Sequence, residues 1–147
     1  MSRDERIQVP PNCDLTLGVT CTDKSTPGRT TWQMRADERF ANPAGILQGG
    51  FITALADAAM GAATITALGD AKVFSSNVEL KTSFMRPARV GTTLTGTGWV
   101  VNKGRRVVFC EAEITDGNGK LIARASSTYV LTPRGDDDGG GSAPLVG

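Results

Sequence analysis

The chain has 147 residues, enough for one domain with a proper core, and its 16 basic and 15 acidic side chains leave a net charge of +1. Interleaved charges and only 5% aromatic residues offer neither the field nor the stacking surface of a nucleic-acid binder. There is no histidine, which removes the usual general base for a serine or cysteine nucleophile. Cys13, Cys21 and Cys110 are scattered singly, so no common zinc site is expected. They read as small, half-buried hydrophobes in a reducing cytoplasm.

Residues 1–12 read as a flexible N-terminal arm, polar and without the apolar core of a signal peptide, so the cytoplasm is the expected compartment. The folded domain is expected over residues 13–133. Residues 14–22 and 30–35 alternate apolar and polar side chains around Ser25-Thr26-Pro27-Gly28, the pattern of a hairpin. Asn42-Pro43-Ala44-Gly45 forms a loop, and a helix follows over residues 49–68, stopped by Gly69-Asp70. Between Leu47 and Gly69 the only charged side chain is Asp57. A helix apolar almost all round is a buried helix, and a carboxylate inside it is costly unless it is solvated, paired or used.

A run of this length could also cross a bilayer. It is rich in Ala, Gly and Thr, carries Asp57 near its centre at a penalty of roughly 3 kcal/mol, and is followed directly by strand-like sequence with no basic flank. A helix buried by a sheet fits better, and no membrane partner is expected.

Residues 73–86, 92–102, 105–116 and 120–132 read as strands separated by turn chemistry, ending with Lys103-Gly104 and Gly117-Asn118-Gly119. They predict a long antiparallel meander. Residues 134–147, with Asp136-Asp137-Asp138 and Gly139-Gly140-Gly141, are expected to be a disordered tail. One helix between a hairpin and four strands gives an α+β layout, a curved antiparallel sheet around a single helix. Its open edges and one poorly covered helix face predict a homodimer, paired again into a dimer of dimers.

Four separated stretches carry a resemblance. They are Asn42-Pro43-Ala44-Gly45-Ile46-Leu47-Gln48-Gly49-Gly50, then Leu55-Ala56-Asp57, then Val78-Glu79-Leu80-Lys81 through Phe84-Met85-Arg86-Pro87-Ala88, then Gly104-Arg105-Arg106. In this order and spacing the chain resembles the hotdog-fold acyl-CoA thioesterases over residues 14–133. It looks closest to the branch of the phenylacetate-pathway and 4-hydroxybenzoyl-CoA thioesterases.

The resemblance implies a hotdog fold, five to six antiparallel strands wrapped around one long central helix. It implies hydrolysis of a small, medium-chain or aromatic acyl-CoA to free acid and CoA, with no cofactor and no metal, coenzyme A being part of the substrate. Asp57 matches the catalytic carboxylate, nucleophile or general base. Gly49 matches the glycine whose N–H polarises the thioester carbonyl, and Asn42 the polar residue that helps hold nucleophile or water. Gln48 stands where many relatives carry histidine, and Asn77 where Ser or Thr often sits.

Elementary chemistry points the same way. A helix N-terminus presents unpaired N–H groups at a positive dipole end, so Gly49 and Gly50 can bring donors close to a developing oxyanion. Asp57 lies eight residues further along the helix, roughly 12 Å at 1.5 Å per residue, too far for both to act on one carbonyl. Two antiparallel helices across a two-fold axis would set Asp57 of one subunit against Gly49 of the other. Gln48 can orient an oxygen but not shuttle protons.

Arg86, Arg89, Lys103, Arg105 and Arg106 cluster at turns and suit the phosphates of coenzyme A, with Arg105 and Arg106 preferred. Phe51, Ala54, Met60 and Phe84 are acyl-pocket candidates. Plainer roles compete: a turn former for Asn42, a helix cap for Gln48, a solvated or salt-bridged carboxylate for Asp57, ordinary core for the apolar residues. Other functions compete too. A non-catalytic acyl-CoA-binding module, sensor or scaffold, would have no reason to hold Asp57. Hotdog dehydratases normally use a histidine, and a thioesterase acting on acyl carrier protein would want a basic docking surface.

Overall fold

The computed structural model describes residues 9–135. A short helix α1 (Asn12–Leu17) precedes the hairpin β1 (Val19–Thr26) and β2 (Arg29–Arg35). The long helix α2 (Gly49–Leu68) follows, then β3 (Val73–Phe84), β4 (Thr93–Lys103), β5 (Val107–Thr115) and β6 (Leu121–Pro133). All pairings are antiparallel, in one six-stranded sheet of order β1-β2-β4-β5-β6-β3. The curved sheet around one long helix expected from the resemblance is present.

Two expectations need correction. The first strand does not begin at Asp14: residues 12–17 form a helical turn entered after Pro11 and closed by Gly18 at φ 71°, whose N–H reaches the Asp14 carbonyl at 2.8 Å. Proline before and a left-handed glycine after punctuate a helix, and they override the two-residue alternation of Leu15 and Leu17. The meander is also broken. β3 pairs with β6 at the far edge, while β4 pairs with β2. Tight turns fix the β4–β5 and β5–β6 neighbours, whereas residues 85–92 are long enough to carry the chain to the other side of the sheet. Most of the expected N-terminal arm and C-terminal tail lies outside the described residues.

α2 is the one helix among the described residues long and apolar enough to cross a membrane, and here it packs on the sheet. Ile52, Leu55, Ala56, Ala59, Met60, Ala63 and Thr64 are its buried residues. They meet alternate positions of β4, β5 and β6, including Leu94, Val108, Cys110, Ile114 and Ala125, in one core. Backbone approaches backbone: a Cβ on Gly98 of β4 would sit 2.5 Å from the Ala59 carbonyl carbon, and one on Gly96 would sit 2.9 Å from the Leu55 side chain. Buried Thr30 of β2 donates to the Ala59 carbonyl at 2.7 Å and accepts from Trp32 Nε1 at 3.1 Å.

The helix is not buried all round. Ile65 is 65% exposed, and Val78, Leu80 and Phe84 of the edge strand β3 also face solvent in the single chain.

Candidate active site

Gly49, Thr53, Asp57 and Gly61 are spaced by four, so they share one face of α2. That face looks at β3. At the helix start the ring of Phe84 covers Gly49 so closely that a Cβ there would lie 2.8 Å from Cζ. One turn on, Thr53 Oγ1 donates to Thr82 Oγ1 at 3.0 Å. Two turns on, Asn77 Nδ2 donates to Asp57 Oδ1 at 3.2 Å.

Asp57 is half-buried, and among the described residues no cation pairs with it. Burial alone pushes its carboxyl above the ordinary carboxylate value. The salt-bridged alternative is therefore absent, and the carboxylate is the more basic for being desolvated. It remains two helical turns from Gly49, so one chain does not bring the acid and the helix N-terminus onto one carbonyl carbon.

Gln48 occupies the N-cap position with extended backbone and makes no side-chain cap bond. Its exposed amide is not consumed in capping, unlike the Gln48 backbone N–H, which donates to the Phe40 carbonyl at 2.9 Å. Asn42 does brace its loop: Oδ1 accepts from the N–H groups of Ala44 at 2.9 Å and Ile46 at 3.2 Å. Its Nδ2 is left as the group able to reach an oxygen. Gly49, Phe84, Met85 and Arg86 line a cleft of about 410 Å³ at the helix start, with Gly50 exposed beside it. One Arg86 nitrogen there donates to the Leu121 carbonyl at 3.0 Å.

The remaining predicted residues sit apart from this line. Phe51 is half-buried and stacks on Phe40 with ring centroids 4.2 Å apart, and Met60 is fully enclosed in the core. Arg105 and Arg106 lie at the opposite end of β3 from Phe84, in a cleft of about 490 Å³ shared with Val73 and Leu131. Among the described residues no three His, Cys, Asp or Glu side chains converge as metal ligands. Thr53, Thr82 and Tyr129 stand beside the candidate residues without any signal along the chain, because strand register alone puts them there.

A carboxylate beside an amide donor, on a helix whose free N-terminus opens into a cleft, is equipped to attack or hydrate a carbonyl without histidine. Residues 44–123 match the thioesterase superfamily. The chain belongs to that superfamily. Thioester hydrolysis is its family-level activity. This superfamily member is 28% identical to human acyl-coenzyme A thioesterase 13 over 121 residues, 82% of the chain and 85% of that protein. Its fold is similar to a thioesterase of Haemophilus influenzae, with a TM-score of 0.80 and 21% identity, covering 94% of the chain and 95% of that structure. It is similar also to the PaaI protein of the E. coli phenylacetic acid degradation operon, with a TM-score of 0.77 and 22% identity over 84% of the chain and 86% of that one.

Proposed function

We propose that the protein hydrolyses the thioester of a small, medium-chain or aromatic acyl-CoA, with Asp57 as nucleophile or general base. The Gly49 N–H of the facing subunit then stabilises the oxyanion. The observation that carries this reading is the half-buried, unpaired carboxylate of Asp57, held by Asn77 two turns from a helix N-terminus.

Attack on the thioester carbon, by Asp57 or by a water that gives it a proton, moves charge onto the carbonyl oxygen. Collapse breaks the C–S bond and releases the coenzyme A thiolate, which takes a proton from the protonated Asp57 or from solvent; where Asp57 is the nucleophile, a water then hydrolyses its mixed anhydride to the free acid and restores the carboxylate. Gln48 and Asn42 orient the carbonyl or the water. Gly50, Phe84 and Arg86 border the entry, with Phe51 behind them on Phe40, and Arg105 and Arg106, at the other end of β3, receive phosphate once a two-fold sets that end beside the facing subunit's entry.

A shared site is supported by the two-turn separation of Gly49 and Asp57 on one helix and by the exposed apolar residues of the edge strand beside them. Midway between Gly49 and Asp57 stands Thr53, bonded to Thr82. A two-fold axis beside this pair would bring each Asp57 against the partner's Gly49. It would also cover the exposed Val78 and Leu80 of the edge strand.

The test mixes two inactive variants. Asp57→Asn removes the carboxylate, and Gly49→Pro removes the N–H at a first helical position that follows an extended Gln48; because any Cβ there displaces the Phe84 ring, Gly49→Ala, which adds the Cβ and keeps the N–H, is the control. Free thiol is measured from phenylacetyl-, hydroxybenzoyl- and medium-chain acyl-CoA. Each variant alone is expected to lose at least about a hundredfold. After random subunit exchange, half of the dimers carry one intact site of two, so about a quarter of wild-type activity returns. Recovery of nothing by two folded, exchanging dimers rejects the shared site, and an active Asp57→Asn rejects the carboxylate. Binding of acyl-CoA without hydrolysis by the wild type would instead make the protein a sensor or scaffold.

A further inference from the structure

One buried polar group beside the candidate site makes no hydrogen bond of good geometry among the described residues. Tyr129 is the only tyrosine of the chain. It is 4% exposed; the Ser127 hydroxyl lies near its Oη, but among the described residues no group meets that hydroxyl in hydrogen-bonding geometry. A buried hydroxyl in that condition is destabilising, and phenylalanine would fill the same space without it. The hydroxyl therefore needs an explanation that packing does not supply.

Strand register provides it. Tyr129 of β6 lies directly opposite Asn77 of β3, so the two side chains leave the sheet on the same side, toward α2. Asn77 reaches Asp57. Tyr129 Oη ends beside Gly61, 3.7 Å from where a Cβ of that residue would stand, one turn along the helix from Asp57. The glycine keeps that turn open. Ser127, on the same strand face, gives its proton to the Glu79 carbonyl at 2.7 Å.

The titratable groups around this spot are Asp57 of α2, Tyr129 of β6 and, behind it, Cys110 of β5. Burial first, and then the neighbouring Asp57 charge, hold the phenol above its ordinary value against the weaker opposing pull of Ser127, so it stays a neutral donor.

We propose that Tyr129 is a positioning residue for Asp57: its hydroxyl donates through one water to the carboxylate, completing from β6 the hold that Asn77 exerts from β3. The inference rests on the reading of Asp57 as the catalytic carboxylate. A donor aimed at the ionised form favours it and fixes its direction. A water between a phenol and a carboxylate has the polar partners that a buried water requires.

Tyr129→Phe in the full-length protein is the deciding variant, compared with wild type and Asp57→Asn. The Asp57 carboxyl is titrated by NMR, and thiol release from phenylacetyl-CoA is followed against pH. Loss of the donor is expected to raise the Asp57 pKa by about half a unit or more and to move the acid limb of kcat up with it. It should lower kcat roughly tenfold while KM stays within about twofold. The variant keeps the ring that fills the core, and urea unfolding checks that it folds. An unchanged Asp57 titration and an unchanged kcat, with or without a gain in stability, overturn the role of Tyr129. If Asp57→Asn is inactive while Tyr129→Phe behaves as wild type, only this inference falls. If Asp57→Asn hydrolyses at the wild-type rate, the catalytic reading fails and this one with it. The NMR titration decides the contact even if phenylacetyl-CoA is not turned over.

Discussion

The two sides of α2 are built on opposite plans. Toward β2 and β4 the helix buries Leu55, Ala59 and Met60, two strand glycines let its backbone settle onto the sheet, and Thr30 satisfies the Ala59 carbonyl. Toward β3 it shows glycines, a threonine and a carboxylate, next to an edge strand with exposed apolar residues and a tyrosine hydroxyl that makes no hydrogen bond of good geometry among the described residues. The first side is closed and satisfied, and supplies stability. The second is open and polar, which is how a molecule holds a place for a ligand or a second copy. The difference shows that one helix can anchor a fold and carry chemistry when the two tasks are separated around its circumference.

The sharpest way to break the closed side is Gly98→Ala. Its methyl would meet the Ala59 backbone at 2.5 Å, where no flexible side chain can yield. A loss of roughly 3 kcal/mol or more is expected in urea unfolding, with activity falling only as the folded fraction falls. Thr30→Val keeps the shape and removes one donor and one acceptor, so about 1–2 kcal/mol should go while kcat is retained in the folded protein.

The open side should respond with the opposite sign. Asp57 has its carboxyl raised by burial, so ionising it opposes folding. Its protonated form is the one the fold prefers, and stability is lost as pH rises from the unfolded carboxylate value through the raised folded one. Asp57→Asn should therefore be slightly more stable than wild type at neutral pH, by under about 1 kcal/mol since the group is partly exposed. The gap should close as pH is lowered below the ordinary carboxylate range. A variant that abolishes activity and loses stability at neutral pH would contradict this division of the helix.

Along the chain, the long helix was legible because twenty residues with a single charge and a terminal Gly-Asp stop admit few other forms, and its bounds coincide with those of α2. The last three strands were legible from the turn chemistry that separates them, and the structure alternates buried and more open positions along each. α1 was not, because Leu15 and Leu17 fit either period and the capping proline and glycine decide it. Asp57 stood out as the lone charge in an apolar run. Tyr129 did not, since an aromatic residue in a β-strand is ordinary until its neighbours are known.

What the sequence by itself determined is local: where a helix and strands form, which acid sits in apolar surroundings, and that histidine chemistry is unavailable. These follow from side-chain periodicity, backbone restriction by proline and glycine, and composition. What only the tertiary structure decided is adjacency. The crossing of β3 to β6, the Asn77 amide on Asp57, the Phe84 ring on Gly49 and the Tyr129 hydroxyl beside Gly61 all depend on strand order and register. Such contacts join residues far apart in the chain, and their energies exist only once the sheet has closed on the helix.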